Sequence, residues 1–74
     1  MYRVQAQREQ RGWSRAEVAR RAAMREAHYG QIELGRVSVV WPAWRARIAQ
    51  ALGVDEAELF GGDGRPLEVV QNAG

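Results

Sequence analysis

Apolar residues recur along this chain in short bursts at helical spacing, each bounded by a glycine or a capping signal. From Val4 to Arg11 good helix formers run without Gly or Pro, and Gly12 supplies a C-terminal stop. Ser14 followed by Glu17 is a capping-box pair, with Trp13 and Val18 placed as its hydrophobic staple, so a second helix begins at Arg15. Val18, Ala19 and Ala22 keep the spacing of one helical face, and this helix ends near Ala22 or Ala23. Residues 26–34 predict a third helix with Tyr29, Ile32 and Glu33 on one side and Ala27, Gln31 and Leu34 opposite. His28 and Gly30 stand at its edges, and Gly35 takes the left-handed position that follows a helix. Pro42 suits the first turn of a fourth helix running to Leu52, closed by Gly53, with Trp41, Trp44, Ile48, Ala51 and Leu52 as its buried stripe.

Asp55 and Glu58 repeat the capping-box pattern, with Val54 and Leu59 as staple, and predict a last short helix reaching Phe60. The whole pattern is that of an all-α bundle of about five short helices in one domain over residues 1–60. Residues 61–74 open with a glycine cluster and read as a flexible tail. Within them Leu67, Val69 and Val70 suit a short strand where a partner is available, which makes the segment either a disordered end or a dimerisation strand.

Composition narrows the function classes. The 74 residues hold one small core, and the absence of cysteine removes both a disulfide framework and a cysteine-based zinc site. No run approaches the roughly 18 apolar residues of a membrane span, and Met1 to Gln10 lacks the apolar run of a signal peptide, so a cytoplasmic protein with no membrane partner is expected. His28 is the single histidine and Ser14 and Ser38 are the only hydroxyl nucleophiles, with Ser14 already assigned to a cap. No triad or metal cluster can be assembled from these, and the expectation is no enzyme, no metal, no cofactor and no small-molecule ligand.

Charge is distributed unevenly. Residues 1–50 carry ten Arg against Glu9, Glu17, Glu26 and Glu33, a balance of +6, whereas residues 51–74 carry Arg65 against five acids, a balance of −4. A basic body suits a polyanion, although an ordinary solvated surface has the same composition. All eleven cations are Arg, which suits phosphate recognition, while GC-rich coding accounts for the lack of Lys.

Three stretches together carry a family likeness. Arg8-Glu9-Gln10-Arg11-Gly12-Trp13-Ser14-Arg15-Ala16-Glu17-Val18-Ala19-Arg20-Arg21-Ala22 resembles the opening of Xre/Cro-type helix-turn-helix regulators. Ile32-Glu33-Leu34-Gly35-Arg36 resembles the end of their recognition helix, and Ile48-Ala49-Gln50-Ala51-Leu52-Gly53-Val54 the end of their fourth helix. The likeness spans roughly residues 4–60 and implies a lambda-repressor-like fold. It puts Ala19 where helices two and three need a small residue, and Arg8 beside Glu33 as a partly buried ion pair. Departures are Ala23 at a turn position usually held by Gly, Gln7 in place of a Leu, and a loop from Gly35 to Pro42 about one residue longer than usual. Met24 and Tyr29 fall at core positions.

The resemblance implies a repressor-like transcriptional regulator that binds double-stranded DNA, with helix three in the major groove. A single short recognition helix covers too few base pairs for high specificity, which adds a homodimer on a two-fold site as an expectation. Carried over residue by residue, it makes Arg15 a phosphate clamp and Arg25 and Arg36 phosphate contacts at the two ends of helix three. Glu26, Ala27, His28 and Gln31 form the base-facing set: Gln31 suits an adenine edge, Glu26 a cytosine amine and the Ala27 methyl a thymine methyl. The alternative is a protein-interaction module that keeps the fold, reads DNA weakly or not at all, and docks through Leu34, Val37, Val39 and Val40.

Overall fold

Four α-helices and one 3-10 turn follow one another in the computed structural model, which describes residues 1–70: α1 over Arg3–Gln10, α2 over Arg15–Arg21, α3 over Glu26–Glu33, α4 over Pro42–Leu52, and the turn over Glu56–Glu58. The N terminus of α2 is set as its sequence dictates, since the Glu17 amide donates to Ser14 Oγ at 3.1 Å. Glu17 does not complete the box from its side chain; its carboxylate pairs with Arg20 at 2.7 Å and with Arg21 at 3.5 Å.

The expected fifth α-helix is the 3-10 turn instead, and Asp55 makes no side-chain cap. A backbone bond of the tighter pattern, from Glu58 N–H to Asp55 O, already takes one of the donors a capping side chain would serve, and Leu59 N–H to Glu56 O continues the same pattern.

The core lies where the elements cross. Val4 of α1, Val18 and Ala19 of α2, Tyr29 and Ile32 of α3, and Ile48, Ala49 and Leu52 of α4 are buried, joined by Ala22, Val40, Leu59 and Phe60. Ala19, 2% exposed, lets α2 approach α3 closely. Trp41 departs from the expected stripe, being 73% exposed. It precedes Pro42 and takes an extended conformation (φ −63°, ψ 147°), which turns it off the helix, and the fully buried Val40 occupies the core in its place.

Each helix ends in the same way. The residues after α1, α3 and α4 that turn left-handed are Gly12 (φ 66°), Gly35 (φ 73°) and Gly53 (φ 70°), and after α2 the position is filled by Ala23 (φ 55°). In all four, the amide of the next residue reaches back to a carbonyl five residues earlier, as from Met24 to Ala19 at 2.9 Å and from Arg36 to Gln31 at 2.9 Å. Ala23 therefore keeps the glycine conformation and carries the strain of a Cβ there. Ala23→Gly is expected to raise unfolding stability by about 0.5 to 1 kcal/mol, the relieved strain exceeding the added entropy of the unfolded chain. Urea titration measures this, and a lower midpoint for the variant at unchanged slope would show that Ala23 is not strained.

Residues 61–70 do not hang free as the expected tail. Tyr2 forms an antiparallel bridge with Glu68, and Phe60 one with Pro66. Arg3 N–H donates to Leu67 O, Val69 N–H to Met1 O, Leu67 N–H to Leu59 O, and Val40 N–H to Gly64 O. The partner that Leu67 and its neighbours need is thus supplied by the chain's own first residues. Val69 and Val70 stay exposed, and residues 71–74 of the expected tail lie outside the described region. No helix among the described residues is long and apolar enough to cross a membrane.

Candidate functional site

The residues singled out from the sequence gather around α3, whose two sides differ sharply. Tyr29, Gly30, Ile32 and Glu33 are buried, while Glu26, Ala27, Gln31 and Leu34 are exposed. Ala27, Gln31 and Leu34 recur at intervals of four and three, so they form one outward stripe with no packing duty. Arg25 stands exposed at the N-cap and Arg36 exposed one residue beyond the closing glycine, placing a cation at each end of the stripe.

His28 is set apart from the stripe. It is half-buried, its ring meets Trp44 of α4 edge-on at 4.8 Å between centroids, and it lies about 60° around the helix from Gln31. Its expected place in the outward set therefore holds only in part, because packing against α4 occupies one side of the ring.

Behind α3 the charges are tied together. Glu33 is fully buried and takes Arg8 side-on, with Nη2 at 2.7 Å and Nε at 3.0 Å from Oε1 and Nε at 3.1 Å from Oε2. Arg8 also donates from Nη1 to the Trp13 carbonyl at 2.8 Å. The hydrogen bonds to Glu33 raise the Arg8 pKa above its ordinary value, against a smaller opposing effect of burial. The ion pair expected from the likeness is present, and it is charge-assisted and forked. Arg15, at the first turn of α2, brings Nε to 3.6 Å from Glu33 Oε2 while its side chain keeps 39% exposure. Among the described residues the buried Tyr29 hydroxyl has no hydrogen-bond partner, and the Glu33 carboxylate lies one turn on. Burial first, then that negative charge, raise its pKa.

Further arginines are held by tryptophans, and these were not singled out from the sequence. Arg21 lies over the Trp13 ring at 4.0 Å and Arg11 at 5.9 Å, while Arg47 lies over Trp44 at 5.0 Å. Only the Trp44 and Arg47 spacing of three on one helix was readable as a local signal. Between α3 and the loop to α4 opens a cleft of 240 Å³ lined by His28, Ile32, Val37, Val39, Trp41 and Trp44, with Val40 at its base. Leu34 and Val39, two of the residues named for docking, are exposed and Val37 is half-buried, but Val40 is core and cannot offer a surface. Its amide is bound to Gly64 O and its carbonyl accepts from Arg45, which pins it inward.

A family model described as a helix-turn-helix domain matches residues 3–59. No curated protein and no solved structure matches the chain at a significant level.

Proposed function

We propose, from the premise that the chain belongs to the helix-turn-helix domain family, that it is a cytoplasmic, repressor-like transcriptional regulator of the Xre/Cro type. In this reading α3 lies in the major groove and reads sequence. The observation that carries it is the outward stripe of α3, free of packing and flanked by the exposed Arg25 and Arg36. Gln31 at the centre of the stripe meets a base edge, the Ala27 methyl meets a thymine, and Glu26 accepts from a cytosine amine. Arg15, Arg25 and Arg36 hold phosphates and set the docking angle. A single eight-residue helix covers few base pairs, so the functional species is a homodimer on a two-fold site, its contact provided by the exposed Val69 and Val70.

Selection from random duplexes followed by fluorescence anisotropy over a salt series tests this. Three phosphate contacts per chain, doubled in the dimer, give a slope of about −5.4 in log K against log salt, and Arg15→Ala, which removes one contact from each chain, is expected to reduce it by about two units on every duplex. Gln31→Ala is expected to cost roughly 1 to 3 kcal/mol on the selected site only, flattening the preference at one position. Stoichiometry should be two chains per site. Unchanged ratios between sites for Gln31→Ala would remove it as a reader.

A second reading is favoured by one observation, the apolar cleft lined by Trp41, Val39 and Val37. It is a protein-interaction module that docks a partner there. Absence of binding to any duplex near 50 mM salt would select this reading over the first.

A further inference from the structure

We propose that Glu33 is a positioning residue for Arg15, holding the Nε edge of its guanidinium inward so that the terminal nitrogens are presented to a DNA phosphate. This rests on the DNA-binding reading and adds to it the device that aims the clamp. The Glu33 carboxylate cannot shift easily. It is fully buried, and Arg8 grips both its oxygens while being pinned to the Trp13 carbonyl, one residue before the Ser14 cap of α2. One carboxylate thereby fixes α1, the end of α3 and the entrance of α2 relative to one another.

Arg15 sits on that fixed point asymmetrically. Its Nε faces Glu33 Oε2 at 3.6 Å, and among the described residues it makes no hydrogen bond, so its two terminal nitrogens are free to donate elsewhere. The contact is an ion pair without a hydrogen bond, strong enough to bias the side chain and weak enough to leave it adjustable. The cluster of Arg8, Arg15 and Glu33 keeps a net positive charge, so the carboxylate orients the clamp without neutralising it. A planar guanidinium can face a carboxylate with one edge and a phosphate with another; an ammonium is a single point charge and must choose. Holding the side chain in advance also lowers the rotamer entropy lost on binding.

The decisive comparison is Arg15→Lys, which keeps the charge and removes the second edge. Affinity for the selected duplex is expected to fall roughly five- to tenfold, close to the loss in Arg15→Ala. In a Glu33→Gln background the difference between Arg and Lys at this position should shrink to less than about twofold. A second readout needs neither DNA nor the Glu33 variant. In nitrogen-15 spectra of the free domain, the Arg15 Nε–H, assigned by its disappearance in Arg15→Lys, should exchange with water more slowly than that of the exposed Arg36. Wild-type affinity in Arg15→Lys, or an Arg15 Nε–H exchanging as fast as Arg36, overturns the positioning role alone. Failure of the wild-type chain to bind any duplex at low salt removes the DNA reading, and this role with it.

Discussion

Replacing Glu33 by alanine is expected to lower unfolding stability by about 2 to 4 kcal/mol, the largest effect of any single polar substitution in this domain. The cost comes less from the bonds lost than from what is left behind. Arg8 is only 14% exposed on its side chain and would keep the Trp13 carbonyl as its sole acceptor, with a cavity where the carboxylate had been. In a chain of 74 residues that is a large part of the total.

The Arg8 pKa is raised by its partner, so the stabilisation linked to the arginine's own proton is fully present below the ordinary arginine range and fades only above it. Mutation therefore probes the pair more directly than titration of Arg8. In a double-mutant cycle with Arg8→Ala, coupling should exceed roughly 0.5 kcal/mol, and the double variant should be less destabilised than the two losses added. Additivity in thermal or urea unfolding would show that the two side chains do not depend on each other.

Gly35→Ala should come next, at about 2 to 3 kcal/mol, from two sources that can be separated. The backbone there has φ 73°, and an added Cβ would run into the Tyr2 ring, which packs over the glycine. Gly53 has nearly the same backbone, φ 70°, and a Cβ there meets open space. Gly53→Ala is accordingly expected to cost only about 1 kcal/mol, the conformational part. The excess at Gly35 measures the seating of Tyr2. Amide exchange at Arg3 and Val69, whose N–H groups bind Leu67 O and Met1 O, should quicken in Gly35→Ala and stay unchanged in Gly53→Ala. Equal losses in both variants would mean that Tyr2 contributes nothing at this position.

What could be read from the sequence was local. The start of α2 followed from Ser14 and the left-handed closures from Gly12, Gly35 and Gly53, because each depends on residues a few positions apart, while the awkward one at Ala23 stood out only against the glycine usual in the family it resembles. The division of α3 into a buried side and an outward side was legible for the same reason, and the Arg8 and Glu33 pair came from family likeness. What was missed depends on distant partners. Trp41 looked apolar enough for the core, yet Val40 filled that place because Gly64 and Arg45 hold it there. His28 is drawn aside by Trp44, and Arg15 meets Glu33 eighteen positions later. No helical period records such meetings.

The bridge between Tyr2 and Glu68 also sets an order in time. Residues 66 positions apart must find each other before the start of the chain is secured, whereas the helices can form from contacts among near neighbours. A ribosome adding about 5 to 20 residues per second will expose the first three residues for several seconds before their acceptor at Leu67 exists. During that interval Tyr2 can rest on Gly35 but lacks its backbone partner, and a premature stop before Leu67 would leave that pairing unmade.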